Sequence, residues 1–533
     1  MNLNDPDRAR AEFERALESE QPDTIARAAM FHIWPLLSSH TELLVTSVSA
    51  LDSKLLARYP VLRLVHPMTA LLARTTQPYK PLLHADEARS MSPEEVDFVL
   101  LTQMIAFRTS GEIGAALMYA RRLGDRMDTV RVEARDRLDG PRWYFHHQIG
   151  STMLAAGDSG GALLEFATGR QLGLLSAQPD AERAILSRIA MAHALRGSLD
   201  DAERALVRSR ALPAPTPAQV TASISTERTV AALIAVERMA DDQDDLLAEL
   251  GPYDSLDLMW PFALLARTRS LLARQQPHDA LEAIRLARDA HPEQSPESFA
   301  SDIIAATTIA ALVDAGDVAA ARRNAEEQPG GGIHTRFARV RLSLREGRPD
   351  VAAKELRALA ADPSLSPVQR AEYAILTGWS ELARTDDLDA GHAAQVARVV
   401  RRPEYRRLGT ILPRQLLIAV RERISAEAVA EFDEATAGTP RNEMVEHPVL
   451  TPGELRVLHA LLDHESTAAI AGAFQVSPNT IKTQRRSLYR KLGCTNRDEA
   501  LRAAARLHLL SAEETDDAGP SPARVAERRV DSG

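Results

Sequence analysis

The sequence predicts an all-α protein: a helical-repeat solenoid over most of its length, then a small and separate helical module. Three observations carry that expectation. Alanine, leucine, arginine and glutamate dominate, aromatics are only 4%, and apolar–polar alternation is rare, so strand signals are scarce. A phrase made of a small turn, an alanine and an apolar-periodic run recurs along the chain. Residues 450–510 pack helix start and stop signals at close intervals.

At 533 residues the chain exceeds one hydrophobic core, and its apolar fraction of 45% argues against wholesale disorder. The formal charge of −10 is unevenly spread: residues 448–510 carry +4, the tail 511–533 carries −3, and 1–447 carries −11. A basic module beside an acidic body places contact with phosphates in the module. The single cysteine, Cys494, excludes an internal disulfide and a multi-cysteine metal site. The start, MNLNDPDRARAEFERALESE, is polar, and no apolar run reaches membrane-spanning length, so a cytoplasmic chain is expected. Five lysines (Lys54, Lys80, Lys354, Lys482, Lys491) against 59 arginines suit a GC-rich bacterial genome.

In chain order, residues 1–100 hold helical stretches interrupted by Pro35, Pro60 and Pro67, and read as an N-terminal helical cap segment. Residues 101–435 carry the repeated phrase, with alanines at Ala116, Ala162, Ala202, Ala280, Ala321, Ala352 and Ala390. Their spacings of 46, 40, 78, 41, 31 and 38 centre near 40, and the gap of 78 predicts one degenerate copy around DDQDDLLAEL. A period of that length with a helix–turn–helix phrase marks a solenoid, in which the alanine lets two helices approach and stacked neighbours supply the core. Unit length and small-residue positions resemble degenerate tetratricopeptide-like repeats. Residues 436–449, rich in turn residues, read as a linker, and the polar tail 511–533 as disordered.

The module 450–510 opens on Thr451-Pro452-Gly453-Glu454, a capping box with proline at the first helical position. Leu455, Leu458, Leu461 and Leu462 are expected to face inward from its first helix. Ser466 caps a short second helix, TAAIAGAF, whose Ala471 sits where helices must approach closely. Ser477 caps the third, Pro478 starts it and Gly493 stops it. At about 100° per residue, Ile481, Gln484, Leu488 and Leu492 share one face of that third helix. Asn479, Lys482, Thr483, Arg486 and Arg490 share the opposite one. A face serving only solubility would mix in acids, and none occurs from 466 to 497. Such a face suits the major groove of double-stranded DNA, where Arg and Lys bond guanine edges or phosphates and Asn and Thr add shorter bonds.

The residues LTPGE (450–454), IA (470–471), VSPNTIKT (476–483), YRKLG (489–493), Arg497 and EAL (499–501) together resemble the LuxR-type helix-turn-helix domain of bacterial transcription regulators. The resemblance covers about 60 residues and implies a four-helix domain with 478–492 as recognition helix. It implies Lys482, Thr483 and Arg486 as groove-facing contacts, Thr480 and Arg490 as phosphate contacts, and a dimerisation helix over about 497–508. A homodimer on DNA follows as an expectation. The chain departs from the family pattern at Gly453 (usually arginine), His464 (glycine), Ala469 (glutamate) and Gln484 (histidine).

No G-x-x-x-x-G-K-[ST] occurs and the dipeptide Gly-Lys is absent, so the ATPase module of maltose-activator-like relatives is not expected. A phospho-accepting receiver and an acyl-homoserine-lactone sensor are also not expected. His146-His147 reads as a packed or solvated pair rather than a metal site, Cys494 as a plain small residue, and Trp34, Tyr59, His66 and Tyr79 as core. HExxH is absent and no catalytic constellation stands out, so neither enzyme activity, a cofactor nor a metal is expected. The sequence thus points to a transcriptional regulator whose helical repeats sense an unidentified protein or small-molecule effector. The alternative is an interaction scaffold localised to DNA by its C-terminal module.

Overall fold

A computed structural model describes residues 5–506 except 57, 60, 63–90, 137–140, 177, 179, 216–219, 254–257, 293, 328–329, 438–449, 451, 465, 493 and 495; side chains at 38, 134, 136, 221, 452, 490, 491, 503, 505 and 506 are also left out. The predicted tail, most of the linker, Pro60, Pro67, His66, Tyr79, the Thr451 cap and the Gly493 stop therefore lie outside the described residues. Among those described, every regular element is helical and no strand occurs. The chain divides into two compact units, 1–442 and 443–533.

The first unit opens with short helices, Pro6–Glu18, Pro22–Phe31, Ile33–Ser39, Thr41–Ser49 and Ser53–Leu56. Asp5 caps the first, accepting hydrogen bonds from the amides of Asp7 and Arg8. Their apolar faces join the core of the repeats: Phe13, Leu36 and Leu44 belong to the same cluster as Leu101, Phe145 and Phe166. Trp34 meets the Phe98 and Phe145 rings edge-on at 5.4 and 5.0 Å, so it is a packing residue.

Eight helical hairpins follow among the described residues, pairing Pro93–Thr109 with Ile113–Thr129, Arg142–Ala155 with Ser159–Gly173, and Ala181–Arg196 with Leu199–Arg210. Val220–Arg238 pairs with Gln243–Ala248, Trp260–Ala273 with Pro277–Ala290, and Phe299–Asp314 with Val318–Glu326. Ile333–Arg345 with Pro349–Ala360, and Pro367–Thr385 with Ala390–Val400, complete the set. A 3-10 helix, Pro403–Ile411, and two further helices, Arg414–Arg423 and Ala426–Thr436, close the unit.

Six of the seven phrase alanines, from Ala116 to Ala352, are fully buried on the second helix of their hairpins. The seventh is corrected: Ala390 is exposed at the start of its helix, and Ala393, one turn later, takes the buried position. The degenerate copy at DDQDDLLAEL is present as Gln243–Ala248, a six-residue helix with no buried residue. Each hairpin also turns through one residue with left-handed backbone. In five it is glycine (Gly111, Gly157, Gly197, Gly316, Gly347), and in three it is Met239, Gln275 or Asp386. Glycine meets that geometry without a Cβ clash, whereas the other three carry its cost.

Stacked neighbours do not supply the whole core, because contacts also bridge repeats far apart in sequence. The Ile113 amide donates to Ser295 Oγ at 3.1 Å, and the Ser295 amide donates to the Gly111 carbonyl at 3.0 Å. A Cβ at Gly197 would fall 2.5 Å from Val368 Cβ, so that turn needs glycine for close approach as well as for its φ of +77°. Val220–Arg238 packs on the 3-10 helix, and there the buried Glu237 Oε1 accepts from Arg269 Nη1 at 2.6 Å and Arg407 Nε at 2.8 Å. Burial works to raise the Glu237 pKa, yet the two guanidiniums outweigh it and hold the carboxyl below its ordinary value.

Candidate nucleic-acid interface

The second unit holds helices Pro452–Asp463, Thr467–Phe474, Pro478–Leu492 and Arg497–Arg506 around one small core of Val457, Leu458, Leu461, Ile470, Ala471, Ile481, Leu488 and Ala504. The first helix corrects the sequence reading. Leu455 and Leu462 are 37% and 48% exposed, and the inward stripe is Glu454, Val457, Leu458 and Leu461. Those positions follow i, i+3, i+4, i+7, so period decides the buried face over leucine identity. Ala471 is buried at the helix contact, as its small size suggested.

The turn between the second and third helices is short because its backbone groups find local partners. Gln475 adopts a left-handed φ of 53°, and the Val476 amide donates to the Ala471 carbonyl at 3.1 Å. Ser466 Oγ accepts from the Ala469 amide and Ser477 Oγ from the Thr480 amide, each at 3.1 Å, so both serines cap their helices.

Ile481 and Leu488 anchor the third helix, fully buried, while Gln484 and Leu492 are half-buried. Asn479, Thr480, Lys482, Thr483 and Arg486 are all exposed; the Arg490 side chain lies outside the described ones. The two hydroxyls already have local partners: Thr483 Oγ1 donates to the Asn479 carbonyl at 3.0 Å, and Thr480 Oγ1 lies 2.8 Å from Ser477 Oγ. The neighbouring Arg485 is half-buried, its guanidinium 5.8 Å from the centre of the Tyr489 ring. That contact separates Arg485 from the exposed Lys482 and Arg486. Among the described side chains, the outward surface is thus one ammonium, one guanidinium, an amide and two threonine side chains on a helix fixed from behind.

Two residues hold the unit together in ways the sequence reading missed. Arg497 Nε donates to the Leu461 carbonyl at 2.8 Å and Nη2 to the Leu462 carbonyl at 3.3 Å, so it caps the first helix from the fourth. A Cβ at Gly453 would lie 2.7 Å from Gln484 Nε2. The two departures from the family pattern therefore meet in space, and the missing side chain at 453 admits the Gln484 amide. The Cys494 amide donates to the Tyr489 carbonyl at 2.9 Å, and burial pushes its thiol pKa up, against thiolate chemistry.

Elsewhere, His147 is buried among the Trp143, Tyr144 and Phe166 rings, and His146 Nδ1 lies 2.8 Å from Glu165 Oε2. Among the described residues no three His, Cys, Asp or Glu side chains are placed to hold a metal, and no helix is long and apolar enough to cross a membrane.

Residues 448–504 match the family described as bacterial regulatory proteins, luxR family. A stretch of 63 residues, 12% of this chain, is 41% identical to the probable transcriptional regulatory protein NarL of Mycobacterium tuberculosis, in strains CDC 1551 / Oshkosh and ATCC 25618 / H37Rv. The match spans 29% of the length of those relatives. No solved structure matches the chain.

Proposed function

We propose, from the premise that residues 448–504 form a LuxR-type DNA-binding domain, that this chain is a transcriptional regulator whose helix Pro478–Leu492 enters the major groove of double-stranded DNA. The observation that carries the reading is the exposed, acid-free face of Asn479, Thr480, Lys482, Thr483 and Arg486 on a helix anchored by Ile481 and Leu488. Lys482, Thr483 and Arg486 read base edges, while Thr480, beside the positive end of the helix, and Arg490 hold phosphates. Two copies pair through Arg497–Arg506 and bind half-sites about one helical turn apart. The hairpin array, tetratricopeptide-like in unit length, acts as the sensor and sets how available the module is.

Genomic-fragment binding at one fixed salt, with the full chain and with Lys482→Ala and Arg486→Ala, tests the reading. Sequence-selective binding that both substitutions weaken supports it. Absence of selective binding by the intact protein overturns it and favours the scaffold.

A further inference from the structure

The repeat unit contains a recess that its packing does not explain. It has a volume of about 110 Å³ and is walled by the first helices of four consecutive hairpins, Trp260–Ala273, Phe299–Asp314, Ile333–Arg345 and Pro367–Thr385, together with the 3-10 helix. Four arginines line it, Arg269, Arg341, Arg345 and Arg407, against two carboxylates, Glu372 and Asp314. Behind the wall, Glu237 serves two of them through a single oxygen, Oε1.

A guanidinium offers five N–H donors. Arg269 and Arg407 each give one hydrogen bond, to Glu237, and Arg341 Nε is buried without a hydrogen-bond partner, its nearest carboxylate being Glu372 at 3.7 Å. These side chains are only 13%, 11% and 26% exposed. These cations therefore line one sheltered space with more N–H donors than Glu237 takes up, and there a hydrogen bond to an anion is worth more than at the surface. His334 adds no charge near neutral pH, because burial pushes its pKa down. The remaining wall combines apolar residues, including Leu265, Ile303 and Ile411, with Thr268, Gln275, Thr307 and Thr410, and Trp379 lies under the Arg345 guanidinium at 5.2 Å.

We infer that this recess binds a small organic anion, a carboxylate or phosphate on a compact apolar body, with Arg341 as its principal ligand. The head group takes the open donors of Arg269, Arg341 and Arg407, and the body lies against the apolar part of the wall, at Leu265, Ile303 and Ile411. Assigning that anion as the effector rests on the regulator reading; its binding does not.

Calorimetry on the full chain, with benzoate and phenyl phosphate as probes and benzyl alcohol as neutral counterpart, decides the matter. The expected result is binding of at least one anion, with affinity at least tenfold lower in Arg341→Gln and no binding of benzyl alcohol. Arg341→Lys, which keeps the charge, is expected to recover part of the loss, and an unchanged Tm in both variants shows that the fold survives. Failure of both anions at millimolar concentration, equal binding of the alcohol, or unchanged binding by Arg341→Gln would each overturn the site. DNA binding is measured separately without probe, so loss of that activity counts against the regulator reading alone.

Discussion

The two units of this chain use arginine in opposite ways. In the repeats, charge is neutralised inside the protein: Asp97 sits between Arg126 and Arg135, Glu227 takes Arg183 through both oxygens at 3.0 Å, and Glu237 joins Arg269 to Arg407. In the C-terminal unit, Lys482 and Arg486 stand exposed, and no acid lies between 466 and 497. The repeats thus use arginine as mortar, whereas the C-terminal unit uses Arg497 that way and leaves Arg486 open to solvent.

Removing a carboxylate from the mortar gives the largest expected effect. Glu237→Ala leaves two nearly buried guanidiniums without their counter-charge and should destabilise the repeats by about 3–5 kcal/mol. All four tryptophans, Trp34, Trp143, Trp260 and Trp379, lie in that unit, so tryptophan-detected urea unfolding reads it selectively. An unshifted midpoint would break the comparison from one side.

Arg486→Ala probes the other side. It should weaken binding to the preferred site by about 1–3 kcal/mol and relax selectivity at one base pair, with the tryptophan-detected midpoint unchanged. Equal weakening on random DNA would make Arg486 a phosphate clamp instead.

Acid should act on the repeats next. Burial first, then Arg188 and Arg108, hold His147 well below its ordinary pKa. The unfolded chain takes up that proton more readily, so the stability contributed by neutral His147 is complete above about pH 6.5. It declines by up to about 1.4 kcal/mol per pH unit as pH falls from there toward the folded value. Unfolding midpoints measured from pH 7.5 to 5 should show the decline, and His147→Phe should flatten it.

The smallest effect lies at a hairpin turn. Met239 has a φ of 51° where five other turns use glycine. Met239→Gly should stabilise the repeats by about 0.5–1 kcal/mol, since relief of the left-handed strain exceeds the added chain entropy. A lower urea midpoint would show that the methionine side chain contributes more than its backbone costs.

Much of this was readable in the residues, for reasons that differ by region. The third helix of the module separates cations from apolar residues so cleanly that its two faces follow from periodicity alone. The first helix misled because leucines occupy both faces, and only the stripe beginning at Glu454 has the right period. In the repeats, glycine announced five of eight turns, while Met239, Gln275 and Asp386 adopt the same backbone with no local signal. The Glu237–Arg407 pair spans 170 positions, and no periodic reading of one chain joins residues so far apart. The recess was illegible for the same reason, because Arg269, the pair Arg341 and Arg345, and Arg407 come from three elements far apart in sequence.

Those distant contacts have an evolutionary consequence. Arrays held only by adjacent units can gain or lose a copy and remain intact. Here Ile113 meets Ser295 and Glu237 meets Arg407, so excising one hairpin between either pair would bring the wrong surfaces together. Gain or loss of a hairpin between those partners therefore breaks contacts that an array joined only by neighbours would not have.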